Sequence, residues 1–232
     1  MNSLPEGYRA LVIGATGAIG SAIARQLRGD PRCAQVLELS RTSQPPVDFD
    51  KEESIAAAAD RLFIPGPLHC IVNAAGILHG AHGMPERRLA EMNYAHMQTV
   101  FRANTMGPAM VLAHFSPLLA RREHSVFATL SAKVGSIGDN RLGGWYSYRA
   151  SKAALNMVVK TAAIEVARTH PKAVLCALHP GTVNSALSAP FNGSQIGREP
   201  DVAATEILKV MDGLAPPDSG GFFAYDGQRL PW

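Results

Sequence analysis

The sequence predicts a single α/β domain, in which a doubly wound parallel sheet carries helices on both faces. Short apolar runs rich in β-branched residues alternate with helical patterns along all 232 residues, with no repeat and no long linker. The hydrophobic share of 47% is enough to form one sizeable core. Residues 1–232 are therefore expected to form one domain.

Composition and charge argue against several other classes of protein. The 22 Lys and Arg exceed the 19 Asp and Glu only mildly and do not cluster, so no nucleic-acid partner is expected. No apolar run reaches the length of a membrane span and residues 1–10 lack the pattern of a signal peptide, which favours a cytoplasmic protein. Cys33, Cys70 and Cys176 each lie in an apolar run, as reduced, buried cysteines do.

The first strand, residues 9–13, leads through a glycine-rich turn into a helical pattern that continues to Arg28. Glycines at this place let the backbone turn tightly and approach a pyrophosphate, which the N-terminus of the next helix attracts. A plain strand-to-helix turn is the alternative. Nucleotide binding is favoured, and it is assigned to Gly14, Thr16, Gly17, Ala18, Ile19 and Gly20.

The second strand, residues 35–40, ends at Ser40 and Arg41. An acidic residue at this place would bind the ribose 2′-hydroxyl of NAD, whereas an Arg matches the extra 2′-phosphate of NADP. Ser40 and Arg41 therefore predict NADP, against the alternative of an Arg that merely ends a strand in solvent. Residues 45–50 are interpreted as a short third strand that brings Asp48 and Phe49 near the adenine.

Three later strands, residues 68–72, 125–130 and 173–178, end in small or polar residues. Because ligands of such sheets bind beyond the carboxyl ends of the strands, the turns after these strands predict one shared site. The residues that follow the strands are, in order, Asn73, Ala74, Ala75, Gly76, Ser131, His179, Pro180 and Gly181.

Helical patterns fill most of the remaining chain. The longest of them starts at residue 87 or 94, contains Asn104, ends at residue 122 and is expected to bend at Gly107-Pro108. The other predicted elements are helices at residues 51–63 and 201–212 and a last strand at residues 221–225.

A long helix is predicted over residues 146–167, because good helix formers follow Gly143 and Gly144 without a Pro or Gly. Tyr148 and Lys152 lie four residues apart, so both side chains leave the same face of this helix. A nearby ammonium favours the phenolate form of a Tyr, which makes the pair a candidate acid/base unit. The alternative is a surface helix that carries the two residues by chance.

Five motifs follow one another along the chain: Gly14-Ala15-Thr16-Gly17-Ala18-Ile19-Gly20, Asn73-Ala74-Ala75-Gly76, Asn104, Tyr148-Arg149-Ala150-Ser151-Lys152 and Pro180-Gly181. In this order they resemble the short-chain dehydrogenase/reductase family, and the match covers nearly the whole chain. Residues 134–140, 143–146, 179–183 and 226–232 are similar to the C-factor-like and sniffer-type carbonyl reductases within that family.

The resemblance implies a Rossmann fold and NADPH-dependent reduction of a carbonyl, or the reverse oxidation of an alcohol. Tyr148 would give its proton to the carbonyl oxygen, Lys152 would lower the pKa of Tyr148 and hold the nicotinamide ribose, and Asn104 would sustain a water chain. Ser131 would hydrogen-bond the substrate oxygen. The remaining cofactor contacts would come from Asn73, Ala74, Ala75, Gly76, Tyr148, Lys152, Pro180, Gly181, Val183 and Ser185.

The chain departs from the family pattern at three places. Ala18 stands where the commonest members carry Gly, and Ile13 where they carry Thr, a spacing that related branches share. Ser185 replaces the usual Thr and keeps a hydroxyl. The third departure is Ala132, which occupies the place of the catalytic Ser.

Ala cannot donate a hydrogen bond, so the substrate-orienting hydroxyl is assigned to Ser131, which closes the same strand. Ser136, just after Gly135, is the runner-up.

The substrate is left open, since its contacts are expected from the loops at residues 77–85, 133–145 and 186–197. Two other functions also stay open. One is an NADP-binding regulatory or signalling protein of the C-factor type with little catalysis, and the other is an epimerase or dehydratase that reuses the cofactor.

No metal site is expected, because His79 and His82 have no Cys or carboxylate near them at a metal-ligand spacing. The helices at residues 94–122 and 146–170 resemble the family's dimer-forming pair, which implies a homodimer or homotetramer.

Overall fold

A computed structural model describes residues 1–63, 66–80 and 83–232. The described chain contains a six-stranded, fully parallel sheet with the strand order β2-β1-β3-β4-β5-β6. This confirms the predicted fold class. The strands are β1 (Tyr8–Ile13), β2 (Cys33–Leu39), β3 (Cys70–Asn73), β4 (Ser125–Leu130), β5 (Ala173–His179) and β6 (Gly221–Ala224).

Helices cover both faces of the sheet. The two apolar clusters that fill the core lie one on each face, with α1 and α7 contributing to one cluster and α2, α4 and α5 to the other. The helices are α1 (Ala18–Gly29), α2 (Glu52–Phe63), α3 (Tyr94–Phe101), α4 (Gly107–Phe115), α5 (Tyr146–Val166), α6 (Gly193–Ile196) and α7 (Pro200–Gly213).

The strand sequences explain this layering. In β1, Leu11 and Ile13 join one cluster, whereas Ala10 and Val12 join the other, because successive side chains of a strand point to opposite faces. A parallel sheet covered on both faces accordingly reads as a nearly continuous apolar run. Burial of each Leu, Ile or Val side chain contributes about 1.5–3 kcal/mol, so the strands form the stable centre of the domain.

The predicted third strand at residues 45–50 is wrong. Pro45 and Pro46 lack the N–H groups that a strand in a sheet donates, and the chain instead turns back on β2. There the N–H of Val47 donates to the carbonyl oxygen of Ser40 at 2.8 Å. The sheet therefore has one strand fewer than the sequence predicts.

The long helical segment also differs from its prediction. It begins at Tyr94, not at residue 87, since the side chain of Asn93 caps α3 by accepting from the N–H of His96. A π-helical stretch, Arg102–Met106, joins α3 to α4 just before the predicted bend at Gly107. The segment ends in a short 3₁₀ turn at Ser116–Leu118, where Pro117 follows α4, and does not reach residue 122.

Two other predicted features are only partly right. Helix α5 ends at Val166, before residues 167 and 170, and the expected loop at 186–197 contains α6 and a 3₁₀ turn at Ala189–Phe191. Cys70 and Cys176 are fully buried, but Cys33 is half-buried. None of the helices in the described part of the chain has the length and apolarity that a bilayer crossing requires.

Candidate active site

The residues that follow the strands meet at the carboxyl edge of the sheet, as predicted, and a cavity of about 500 Å³ opens there. Tyr148 at the start of α5 faces this cavity together with side chains from the ends of β4 and β5. The predicted site residues among its lining are Ile19, Ser131, Tyr148, Pro180, Gly181, Val183 and Ser185.

The turn after β1 requires glycine at two positions. Gly14 has φ +82°, and a Cβ at this position would lie 2.8 Å from the backbone nitrogen of Ala75. A Cβ on Gly20 would overlap the carbonyl oxygen of Gly14. Gly17 precedes α1 without a side-chain cap, which leaves the first N–H groups of the helix to face the turn. Of the other assigned residues, Thr16 is exposed and Ala18 and Ile19 are half-buried.

The residues assigned to the adenosine end lie just beyond β2. Ser40 is buried, and Arg41 is exposed without an ion pair among the described residues. The carboxylate of Asp48 accepts the N–H of Asp50 at 3.1 Å. The half-buried ring of Phe49 packs on Gly107, where a Cβ would overlap it.

Asn73, at the end of β3, is fully buried and shapes the next turn. Its Oδ1 accepts the N–H of Ala75 at 3.2 Å, while its Nδ2 has no hydrogen-bond partner among the described residues. The N–H of Ala74 donates to the carbonyl oxygen of Ile13 at 2.8 Å, which ties this turn to β1. The turn therefore presents an unused buried donor beside the glycine-rich segment.

Asn104 and Lys152 both lie beside Gly76. A Cβ on Gly76 would be 3.1 Å from Oδ1 of Asn104 and 3.5 Å from Nζ of Lys152. Asn104 is fully buried in the π-helical stretch, where its Oδ1 accepts the N–H of Ile77 and its Nδ2 donates to the carbonyl oxygen of Ile77, each at 2.8 Å. The same Nδ2 also donates to Oγ of Ser151 at 3.3 Å. Asn104 thus ties the turn after β3 to α5.

Tyr148 and Lys152 share one face of α5, and Nζ of Lys152 lies 5.9 Å from the centre of the Tyr148 ring. The Lys152 ammonium donates to the carbonyl oxygen of Leu130 at 3.0 Å, and burial lowers the pKa of Lys152 to about 8. The Tyr148 side chain keeps some exposure, yet the protein packed around it raises the pKa of its phenol. This direction is opposite to the one that the family resemblance implies.

The two candidate serines have different surroundings. Ser131 lines the cavity, and its hydroxyl donates to Oδ1 of Asn156 at 2.6 Å. Ser136 is buried, does not line the cavity, and its Oγ accepts the N–H of Asp139 at 3.1 Å. Ala132 lines the cavity at the place where a serine is expected. Of the two serines, therefore, only Ser131 lines the space that a substrate can enter.

The segment after β5 forms the opposite side of the cavity. Gly181 has φ +72°, and the carbonyl oxygen of Pro180 accepts a short hydrogen bond from Arg198. Val183 is buried, and the hydroxyl of Ser185 donates to its carbonyl oxygen at 3.3 Å. Burial, together with the nearby charges of Lys133 and Arg198, lowers the pKa of His179 to about 4. His179 is therefore neutral at pH 7.

The aromatic rings of Trp145 and Phe191 lie beside Tyr148 and form one wall of the cavity. The Trp145 ring lies 6.1 Å from the Tyr148 ring and 5.0 Å from the Phe191 ring, between ring centres. Trp145 and Phe191 belong to two of the predicted substrate loops, residues 133–145 and 186–197, which both line the cavity. In the loop at 77–85, residues 81–82 lie outside the described residues, and Leu78 lines the cavity.

Several side chains that contact the candidate site are not predicted from the sequence. Asn156 holds Ser131, Arg149 donates to the carbonyl oxygens of Gly143 and Gly144, and Glu86 contacts the start of α5. No local pattern could have identified these contacts, because most join residues far apart in sequence. Arg149 alone lies inside a recognised motif.

The loop after β3 carries His79 and His82, for which the sequence predicts no metal site. Among the described residues, no group of three or more His, Cys, Asp and Glu side chains could hold a metal ion. The rings of His79 and Phe191 lie 6.4 Å apart, between centres, and His82 lies outside the described residues.

Comparison with solved structures supports the fold. The NADPH-bound carbonyl reductase from chicken fatty liver superimposes with a TM-score of 0.83 at 23% identity, covering 98% of this chain and 95% of that one. The carbonyl reductase Sniffer of D. melanogaster also gives 0.83, at 20% identity, covering 97% of this chain and 99% of its own.

Comparison of sequences identifies the family as well as the fold. The 1-hydroxy-2-glutathionyl-2-methyl-3-butene dehydrogenase of Rhodococcus sp. (strain AD45) is 35% identical over 96% of this chain and 98% of its own length. The C-signal protein of Myxococcus xanthus is 35% identical over 72% of this chain and 94% of its own, which supports the predicted C-factor resemblance. The model of the short chain dehydrogenase family matches residues 31–195. This chain therefore belongs to the short-chain dehydrogenase/reductase family of oxidoreductases.

Proposed function

We propose that the protein is an NADP(H)-dependent oxidoreductase that reduces a ketone, aldehyde or quinone to the alcohol, or runs the reverse reaction. The observation that carries the proposal is the placement of Tyr148 at the cavity with Lys152 on the same face of α5. Asn104 supports the pair, since it lies beside Lys152 and binds the turn after β3. The three side chains thus converge on one edge of the sheet.

The residues at this edge fit a dinucleotide. Gly14 and Gly20 leave no room for a Cβ against the neighbouring backbone, so the turn is closely packed ahead of the N-terminus of α1, where a pyrophosphate would bind. The free Nδ2 of Asn73 lies on a neighbouring turn. The exposed Arg41 suits a 2′-phosphate, which favours NADP(H) over NAD(H). In support, one of the structural neighbours is described as NADPH-bound, and another, from Burkholderia multivorans, as having bound NADP.

The rest of the dinucleotide would follow the same edge. Asp48 and Phe49 would contact the adenine end, and Ser40, next to Arg41 in sequence, would lie near the ribose. The turn after β3 and the segment after β5 would hold the nicotinamide half, through Ala74, Ala75, Gly76, Pro180, Gly181, Val183 and Ser185.

The cofactor, when bound, supplies or accepts the hydride. The raised pKa of Tyr148 keeps its phenol protonated at neutral pH, which is the form that a general acid needs for reduction. Its O–H bond breaks as a new O–H bond forms on the carbonyl oxygen of the substrate. The Lys152 ammonium, mostly protonated at pH 7 with a pKa of about 8, stabilises the phenolate left behind.

Asn104 and Ser131 complete the proposed machinery. Asn104 would order the water chain that returns a proton to Tyr148 through Lys152. Ser131 stays the predicted donor to the substrate oxygen, although its hydroxyl would have to exchange its bond to Asn156 for one to the substrate. A hydroxyl turned toward the substrate oxygen in this way would stabilise the negative charge that develops there.

The cavity favours a substrate with an apolar part next to the carbonyl. Trp145 and Phe191 flank the space beside Tyr148, and Leu142 and Leu187 also line it. The Rhodococcus relative is named as a dehydrogenase of a glutathionyl butene alcohol. The hydroxyl in that name is on a terminal carbon, so a primary alcohol or aldehyde with an apolar branch is included in the substrate class.

Cytoplasmic location and a homodimer or homotetramer are parts of the same proposal. Exposed apolar side chains lie on the segment from α3 to α4 and on α5, and a second copy of this chain would cover them. The most exposed of these are Tyr94 at 78%, Met157 at 67%, Met106 at 58% and Ile164 at 57%.

The deciding experiment follows NADPH oxidation with a panel of aldehydes, ketones and quinones. The unmodified protein should turn over at least one class, and Tyr148→Phe should be slower by at least ~10², because the acid is lost while the ring stays in place. NADPH binding, measured by fluorescence on the same samples, should not change.

Turnover retained by a folded Tyr148→Phe variant would favour a regulatory role like that suggested by the name of the C-signal relative. Product formation without net NADPH consumption would indicate an epimerase or dehydratase instead.

A further inference from the structure

A buried carboxylate outside the catalytic motifs contacts the start of α5. Glu86 is 3% exposed, and its Oε2 accepts the N–H of Ser147 at 3.0 Å. Its Oε1 accepts a short hydrogen bond from the Ser147 hydroxyl, and its carbonyl oxygen accepts the N–H of Trp145 at 2.5 Å. Three hydrogen bonds therefore join a segment before α3 to the residues on either side of Tyr146.

Helix α5 has no cap of its own. Trp145, which precedes it, makes no side-chain hydrogen bond to the first turn, and that turn contains no acidic residue. The first N–H groups of a helix need acceptors, and its N-terminus favours negative charge. Glu86 supplies both from a position 61 residues away from Ser147. The helix that carries Tyr148 and Lys152 is thus capped by another part of the fold.

The backbone around Trp145 also needs outside support. Trp145 has φ 53°, a left-handed conformation that is uncommon for a bulky residue and persists only where its surroundings hold it. Besides Glu86, Arg149 holds this segment by donating to the carbonyl oxygen of Gly144 at 2.9 Å and of Gly143 at 3.2 Å. The Trp145 ring, held in this way, stands against Tyr148.

We propose that Glu86 is a positioning residue of the candidate active site, whose carboxylate fixes the first turn of α5 and thereby places Tyr148 and the Trp145 wall of the substrate cavity. The catalytic meaning of this placement rests on the proposed reductase function. Burial alone would raise the pKa of Glu86, but the hydrogen bonds from Ser147, with a smaller contribution from the nearby His96, hold it below its ordinary value. The carboxylate is therefore ionised at neutral pH.

The test compares Glu86→Gln with Glu91→Gln. Glu91 is a matched control, because its carboxylate also accepts a backbone N–H, that of Arg87 at 2.8 Å, but lies on the surface. Both variants carry Trp232→Phe, which leaves Trp145 as the only tryptophan of the chain. The measurements are kcat and KM with a carbonyl substrate, NADPH affinity and site number by titration, and Trp145 emission.

Glu86→Gln should lower kcat roughly ten- to a hundredfold, because small misplacements of a catalytic group have effects of this size. NADPH affinity should stay constant, and the Trp145 emission should shift to the red as the ring loses its fixed place. Glu91→Gln should change neither kcat nor emission. Ser147→Ala, which keeps the backbone hydrogen bond, should shift both in the same direction by less and should be non-additive with Glu86→Gln.

If Glu86→Gln does not fold, Ser147→Ala decides the proposal through the same two measurements. The proposal is overturned by normal kcat per NADPH-binding site together with normal Trp145 emission. Failure of the proposed reductase function gives a different result. The Trp232→Phe protein and its Glu91→Gln variant would then reduce no carbonyl, while the Trp145 emission would still report whether Glu86 holds the start of α5.

Discussion

The turn after β1 and the wall of the cavity around Tyr148 are built by different kinds of contact. In the turn, the N–H of Gly17 donates to the carbonyl oxygen of Gly14 at 3.0 Å, and a Cβ on Gly20 would overlap the same oxygen. These contacts are local and involve the backbone. Around the cavity, the hydrogen-bonded pairs that support Tyr148 and Ser131 are far apart in sequence: Lys152–Leu130, Ser131–Asn156 and Glu86–Ser147 are separated by 22, 25 and 61 residues.

This difference explains why the turn after β1 can be recognised in the sequence as a motif, whereas the surroundings of Tyr148 cannot. A glycine is required wherever a Cβ would strike the backbone, so residue type and spacing alone reveal the turn. A side chain in the cavity wall acquires its role from a distant partner, which no spacing encodes. The four predictions below test each half of this comparison, from the largest expected effect to the smallest.

The largest effect is expected in the cavity wall. Ser131→Ala should lower kcat by about 10² to 10³, the usual cost of losing a donor to developing oxygen charge, with little change in NADPH affinity. Ser136→Ala is the matched control, since Ser136 lies outside the cavity lining. A silent Ser131→Ala with a crippled Ser136→Ala would reverse the assignment. Two silent variants would leave Tyr148 and backbone or water donors to polarise the carbonyl.

The second prediction concerns the turn after β1, which a backbone clash should disrupt. Gly20→Ala places a methyl group on the carbonyl oxygen of Gly14, and overpacking of this kind costs about 1–3 kcal/mol. The turn shifts to relieve the overlap and has to be forced back to bind the nucleotide, so NADPH should bind more weakly, by up to roughly a hundredfold. Gly29→Ala, at the other end of α1, has nothing within 4 Å of the new Cβ and should bind NADPH normally. Equal affinity of the two variants, measured by fluorescence titration, would contradict a backbone-determined nucleotide site.

Arg41 tests the cofactor preference that the sequence predicts. Hydrogen bonds to charged groups contribute about 1.5–3 kcal/mol, so Arg41→Ala should reduce the preference for NADPH over NADH roughly ten- to a hundredfold. The control is Arg122→Ala. Arg122 is also exposed, but it precedes β4 and therefore lies at the amino ends of the strands, away from the candidate site. Equal use of both cofactors by the unmodified protein would refute the prediction.

The smallest effect is a pH dependence from Lys152. Its pKa of about 8 in the folded protein lies below the ordinary value of 10.5, so kcat/KM for reduction should fall as pH rises above about 8 and the ammonium is lost. Between about pH 8 and 10.5, Lys152 is protonated in the unfolded chain but mostly deprotonated in the folded protein. The unfolded state therefore binds more protons, and the free energy of unfolding rises with pH in this range. Lys152→Met should remove this rise from urea unfolding midpoints compared between pH 7.5 and 10. An unchanged slope would show that another group titrates.

Much of the fold and part of the site could be predicted from the sequence. The period of apolar residues gave the strand and helix order, and the residues after β1, β3, β4 and β5 do share one edge. The errors arose where local signals were overridden. Residues 45–50 resemble a strand but contain two prolines, and the helix at 94–122 is interrupted by a π-helical stretch around Asn104.

The sequence by itself determined the family, the glycine turn and the Tyr148–Lys152 pair, because backbone sterics and helix periodicity act over a few residues. Tertiary structure alone decided that Ser131 binds Asn156, that the Lys152 ammonium meets the carbonyl oxygen of Leu130, and that burial raises the pKa of Tyr148. It also decided that Glu86 caps α5. These outcomes depend on which segments pack together and exclude water, and packing between segments is set by the whole chain.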